Sequence, residues 1–332
     1  MPSASTSSSD SGTEVRLTRI AMIHGAVDVA GRKGDAAIYV VSRDGTVIRL
    51  TDDTETVALD VTDLTSTESE RGLLGLAFSP DGLRAYVNYT DARGDTVIAA
   101  LDVAADGSLL RNSQRILLTV AQPYSNHNGG DLVVAADGAI YVATGDGGSG
   151  GDPDRVALDD ASLLGKVVRI DPRNGAASLV ARGLRNPWRI DLHDDDLWMA
   201  DVGQNAIEEV NVLRNVSAVT EIVSFGWSAF EGPERYNDDQ PRSGHEPPLA
   251  WYEHGDDGCS ISGGAVAVSG SLSGRYVFGD YCSGRIWSIP ADGASSERSR
   301  HFDSVDQLSA VARAHEHLYV LSLGGDVFRI EN

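Results

Sequence analysis

Four short segments set proton-transferring or oxygen-binding side chains among glycines that a plain turn would not need. In Ser125-Asn126-His127-Asn128-Gly129-Gly130-Asp131, one imidazole sits among amides ahead of the apolar run Leu132-Val133-Val134. A neutral imidazole titrates near working pH and can take a proton from an alcohol, which makes His127 a candidate general base. A lone histidine also serves purely structural ends. The segment from Thr144 to Asp154 (TGDGGSGGDPD) holds Asp146, Asp152 and Asp154 among glycines, the composition of an oxygen-rich cation loop, or of a flexible lid. Gly183-Leu184-Arg185-Asn186-Pro187-Trp188 offers Arg185 as a planar fork for paired oxygens, and Asp201-Val202-Gly203-Gln204-Asn205 with Glu208-Glu209 follows it. Glu70 precedes the apolar run Leu73 to Phe78, where it either faces a channel or is an ordinary solvated charge. Phosphate-loop and HExxH signatures are absent, so NTPase and zinc-protease chemistry fall away.

These segments must be carried by strands. A β-rich run recurs at 37–50, 84–90, 139–147, 196–203, 275–289 and 317–330, often just after an Asp/Gly turn. Starting points near 38, 85, 140, 197, 275 and 318 are separated by 47, 55, 57, 78 and 43 residues. Such spacing, with several short strands per unit, marks propeller blades. The reading is all-β: a six-bladed β-propeller of four-stranded antiparallel blades over residues 14–332. IYVVSRDGTVIRL near the start resembles LYVLSLGGDVFRI at the end, as ring closure requires, and both read as strand, two-residue turn, strand. The longest gap implies a loop insertion around 231–258, rich in Pro, Gly and charge. The run ALDDASLLGK (157–166) is the one short helical candidate.

Composition narrows the partners. Of 332 residues, 49 are acidic and 27 basic, only two of them lysines (Lys33 and Lys166), giving a net charge of −22. A pI near 4.6 repels phosphate backbones, so no nucleic-acid partner is expected, and bound cations are favoured. No apolar run approaches the ~20 residues of a membrane span. The 36 glycines fit a turn-rich β protein. Residues 1–13 (MPSASTSSSDSGT) form a polar tail with no apolar signal core, expected to be disordered and to be the spacer left once an export signal is removed. Cys259 and Cys282 are expected to form a disulfide, which implies an oxidising compartment, periplasmic or extracellular; two buried thiols are the other possibility.

The strings ERGLLGLAF, SNHNGGDL, IYVATGDGG, LLGKVVRID, GLRNPWR, DVGQNAIEEVN, FGWSAFEG and GRYVFGDYCSGRIW stand in one order. In that order they resemble the soluble glucose/sorbosone (aldose sugar) dehydrogenases, quinoprotein propellers that use pyrroloquinoline quinone (PQQ) and calcium. They are also similar to the propeller of hedgehog-interacting-protein-like proteins. The resemblance implies His127 as the base that takes the sugar hydroxyl proton and Asp146 as the carboxylate that orients it. Arg185 and Asn186 would hold quinone oxygens, Glu70 would stand beside the cofactor where the family carries Gln, and the main-chain carbonyls of Gly203 and Gln204 would bind calcium. A sugar substrate and a diffusible electron acceptor follow. The family's cationic clamp for the cofactor carboxylates departs: Cys282 stands at its Lys, and Ser304 to Leu308 replaces its arginines. Arg275, Arg285 and Arg313 are the candidate substitutes. A calcium-binding propeller that recognises a glycan or protein without catalysis is the alternative, and a propeller lactonase a third.

Overall fold

The computed structural model describes residues 15–302 and 304–331, and the expected tail at 1–13 lies outside them. Ile38–Ser42, Ile140–Thr144 and nearly all of Arg275–Asp280 are buried at every position, without the in-out alternation of a half-exposed strand. The cause is stacking of sheets, which covers their middle strands on both faces. Six blade sheets result, antiparallel through their first four strands, each beginning with a strand beside the central channel. These inner strands are Ala26–Gly31, Leu73–Phe78, Leu132–Val134, Pro187–His193, Ile261–Val266 and Leu308–Ala314, which number blades 1 to 6. Six hydrophobic clusters lie one in each interface between neighbouring blades, so the core is a ring of seams.

Ring closure is by the first described strand. Arg16–Met22 is the outer strand of blade 6 and pairs with Asp326–Glu331, from Arg16 opposite Glu331 to Met22 opposite Asp326. The matching turns of the first and last repeats have three residues instead of the expected two, since Ser42 pairs with Thr46 across Arg43-Asp44-Gly45. Gly45 takes φ 108°, which a side chain would resist.

Two further expectations change. The insertion leaves blade 4 after Ile207–Leu213, and the chain returns at Ala250–Glu253, a true outer strand of that blade. Its Pro-rich, charged flanks hide this strand in the sequence. Within the excursion, Val223–Ser224 adds a parallel fifth strand to blade 3, and Phe230–Glu231 pairs with Glu234–Arg235. The helical reading of 157–166 reduces to one 3-10 turn, Val156–Leu158, and Lys166 begins a strand. Among the described residues no helix is long and apolar enough to cross a membrane.

Midway along the channel, the buried guanidinium of Arg189 lies 3.0 Å from Asp28 and 3.6 Å from Asp131. Three carboxylates in or just before the inner strands also staple neighbouring blades. Asp28 accepts from Leu76 N (2.9 Å), Asp131 from Ile190 N (2.7 Å) and Asp191 from Val266 N (2.9 Å).

Candidate active site

The loops leading into the inner strands meet at one mouth of the channel, around a cavity of about 420 Å³. Glu70, His127, Arg185, Asn186 and Gly203 all line it, so five of the six residues expected at a cofactor site share one cavity. His127 is 5% exposed, and its ring bridges two partners. Nδ1 lies 2.7 Å from Asp146 Oδ1, and Nε2 lies 2.9 Å from Arg185 Nη2. A guanidinium can only donate, so Nε2 must accept and Nδ1 must carry the hydrogen given to Asp146. That tautomer keeps the basic nitrogen toward the cavity. Asp146 is fixed in turn by Gly148 N (2.9 Å) on Oδ1 and by Trp227 Nε1 (2.8 Å) on Oδ2.

Local backbone explains the motif spelling. His127 has φ 53°, in the left-handed region that residues bearing a β-carbon avoid. Its carbonyl packs so closely on Gly145 that a β-carbon there would overlap it, and this is why a glycine separates the strand end at Thr144 from Asp146. Glu70 is no free surface charge, because Oε2 accepts from His127 N (2.7 Å) and Asn186 Nδ2 (3.1 Å). Asn186 Oδ1 accepts from Gly129 N (3.0 Å), tying blade 4 to the His127 loop. The Arg185 side chain donates to Val202 O (2.8 Å) and Gln204 Oε1 (3.3 Å) and lies over the Trp227 ring.

Buried acids hold the 201–207 turn. Asp201 accepts from Arg185 N (3.0 Å) and Asn186 N (2.7 Å), while one Glu231 oxygen accepts from the amides of Gln204, Asn205, Ala206 and Ile207. Glu208 accepts from Ile261 N (2.8 Å) and Gly203 N (3.3 Å) and meets His254 Nε2 at 2.6 Å. That bond raises the His254 pKa. Burial, with Glu209 behind it, pushes the Asp201 carboxyl well above the usual range; burial likewise pushes Glu209 up to about 7. The Gly203 and Gln204 carbonyls accept no hydrogen bond among the described residues, and Gln204 reaches the site through its side chain.

The Thr144 to Asp154 segment is not a cation loop by its carboxylates. Asp146 serves His127, Asp152 accepts from Val156 N and Ser228 Oγ, and Asp154 is exposed. Among the described residues no cluster of three or more His, Cys, Asp or Glu is placed to hold a metal. Cys259 and Cys282 are bonded as a disulfide beside Ser260 and Tyr281 of the cavity wall. The candidate substitute arginines do not reach the cavity. Arg275 bonds Ser288 and Ser299, Arg285 pairs with Asp257, and Arg313 pairs with Asp191 near the opposite mouth. Sequence reasoning missed Trp227, Glu231, Ser262 and Arg43, the last two of which line the cavity. Only the quoted string FGWSAFEG signalled the first two.

Fold and site together define a class: six-bladed propellers with a carboxylate–histidine–guanidinium chain at one channel mouth. The Glucose / Sorbosone dehydrogenase family model matches residues 31–320, and the chain belongs to that family. Among solved structures, it is similar to the PQQ-bound aldose sugar dehydrogenase of Streptomyces coelicolor, with TM-score 0.78 and 23% identity over 96% of this chain and 97% of that one. It is also similar to the apo soluble aldose sugar dehydrogenase of Escherichia coli, with TM-score 0.75 and 17% identity over 96% and 99%. At these identities the likeness shows the fold. By sequence it is 29% identical to the Arabidopsis thaliana HIPL1 protein over 60% of this chain and 36% of that protein. It is 28% identical to the human Hedgehog-interacting protein over 74% and 39%. The chain thus spans well under half the length of these curated relatives.

Proposed function

We propose that the protein is a calcium-dependent quinoprotein dehydrogenase that oxidises the C1 hydroxyl of an aldose, or a related alcohol or aldehyde, and passes electrons to a diffusible acceptor. The observation that carries this reading is His127, held by Asp146 through Nδ1 with Nε2 turned to a cavity that Arg185 shares.

The donor set suits PQQ and calcium. The cavity volume falls within the ordinary small-ligand range, and two guanidiniums, Arg185 and Arg43, line it for a polyanionic group. Arg185 and Asn186 would hold the quinone beside Glu70, and the unbonded carbonyls of Gly203 and Gln204 would hold calcium. When bound, the quinone supplies the electrophilic carbonyl that accepts hydride. The protein's share is positioning and proton transfer. His127 Nε2 exchanges its contact with Arg185 for the substrate hydroxyl and takes that proton. Asp146 then faces an imidazolium, whose charge it stabilises across the Nδ1 bond. Arg185, freed from Nε2, keeps its contacts to Val202 O and Gln204 and offers its fork to the developing negative charge.

The disulfide supports a periplasmic or secreted location. The test is to add PQQ and calcium to the purified protein, then follow quinone binding and aldose-dependent dye reduction across a sugar panel. Binding with reduction is expected. No binding and no turnover would remove the reading. A second reading, a non-catalytic calcium-binding propeller that recognises a glycan or protein, is favoured by the Hedgehog-interacting relatives. It expects calcium-raised stability with no response to the quinone.

A further inference from the structure

The cavity's two arginines differ in their obligations. Arg185 already serves Val202 O, Gln204 Oε1 and His127 Nε2. Arg43, in the turn that follows the second strand of blade 1, has one side-chain hydrogen bond, from Nη1 to the Ser69 carbonyl. No carboxylate lies within 4 Å of its guanidinium among the described residues. A guanidinium carries five N–H donors, so most of those on Arg43 are unassigned. Glu70, the acid on this wall, already accepts from His127 N and Asn186 Nδ2. Gly72 leaves room for the arginine's stem, since a β-carbon there would run into Arg43 Cγ.

Blade 5 supplies an independent sign. Ser262, only 3% exposed, lines the same cavity, and its hydroxyl has no hydrogen-bond partner. A buried polar group left unpaired in a native protein calls for a missing partner. An arginine without an acid and a hydroxyl without an acceptor both want the same thing, an anionic oxygen.

We propose that Arg43 and Ser262 form a carboxylate-binding wall of this cavity and take over, from blades 1 and 5, the holding of the quinone's carboxylates. The assignment rests on the quinone reading above. It also accounts for how this chain does without cations at Cys282 and Ser304 to Leu308, since Arg275, Arg285 and Arg313 are engaged elsewhere.

The test is calorimetric titration, with calcium present, of the full chain and its Arg43→Ala, Arg43→Lys, Ser262→Ala and Arg285→Ala variants. Two ligands are used: PQQ, and isophthalate as a plain aromatic dicarboxylate. Loss of one charge-assisted contact should weaken binding of PQQ by Arg43→Ala about 10- to 100-fold, with partial recovery in Arg43→Lys. Ser262→Ala should cost about 2- to 10-fold and Arg285→Ala nothing. The Arg43 effect should shrink as salt rises. PQQ binding unaffected by Arg43→Ala keeps the cofactor reading and overturns the wall. Arg43-dependent capture of isophthalate without capture of PQQ keeps the wall and removes the cofactor reading. Failure of both ligands to bind the wild-type chain overturns the proposal.

Discussion

His127 owes its usefulness to its neighbours. Asp146 fixes the tautomer of its imidazole, and Arg185 marks where the basic nitrogen points. His127→Ala should therefore lower aldose-dependent dye reduction by about 10²- to 10⁴-fold, the usual worth of a positioned base. Stability should fall by only about 1 kcal/mol, because Asp146 keeps Gly148 N and Trp227 Nε1 as donors. Paired turnover and melting measurements check this, and retained turnover would take His127 out of the chemistry. Residues next to a glycine-rich signature were legible at this scale. Arg43 and Ser262 were not, because each sits in a local string that reads as plain strand or turn, and Trp227 was signalled only by the string FGWSAFEG. Trp227 meets Asp146 from 81 positions away, a separation no local pattern reports.

Elements hold the site through buried acids that cross from blade to blade. Asp131 shows the energetics. Burial pushes its carboxyl up to about 7, against the pull of Arg189. In the unfolded chain such a group releases its proton near pH ~4. Between those values the native state binds more protons, so Asp131's contribution to stability falls as pH rises through that window. An amide does not titrate, so Asp131→Asn should flatten the stability–pH curve between about 4 and 7 while lowering stability through a weaker link to Ile190 N. Urea unfolding over a pH series measures both effects, and curves that stay parallel for the two proteins would refute the account. Strands with strong apolar runs were legible at this scale, whereas Ala250–Glu253 was not: it is short, only half buried, and flanked by loop-like residues.

The whole molecule is a ring that its first described strand completes. Removing residues 1–22 takes away Arg16–Met22 and leaves Asp326–Glu331 as an open edge. Such an edge is a template for pairing with other chains, so the shortened protein should melt earlier and associate in size-exclusion runs. Unchanged melting and a monodisperse monomer would show that closure contributes little. Repeat spacing, β-rich runs and matching end sequences determined the propeller from sequence alone, because blade architecture is written in local patterns that recur. The same holds for His127, Asp146, Arg185 and Asn186 as candidates, since their glycine-bound settings are local too. Only the tertiary structure decided that Arg275, Arg285 and Arg313 miss the cavity while Arg43 and Ser262 line it. The reason is geometric: which side chains share a channel mouth depends on how six sheets are wrapped around an axis, and nothing in the spacing along the chain records it.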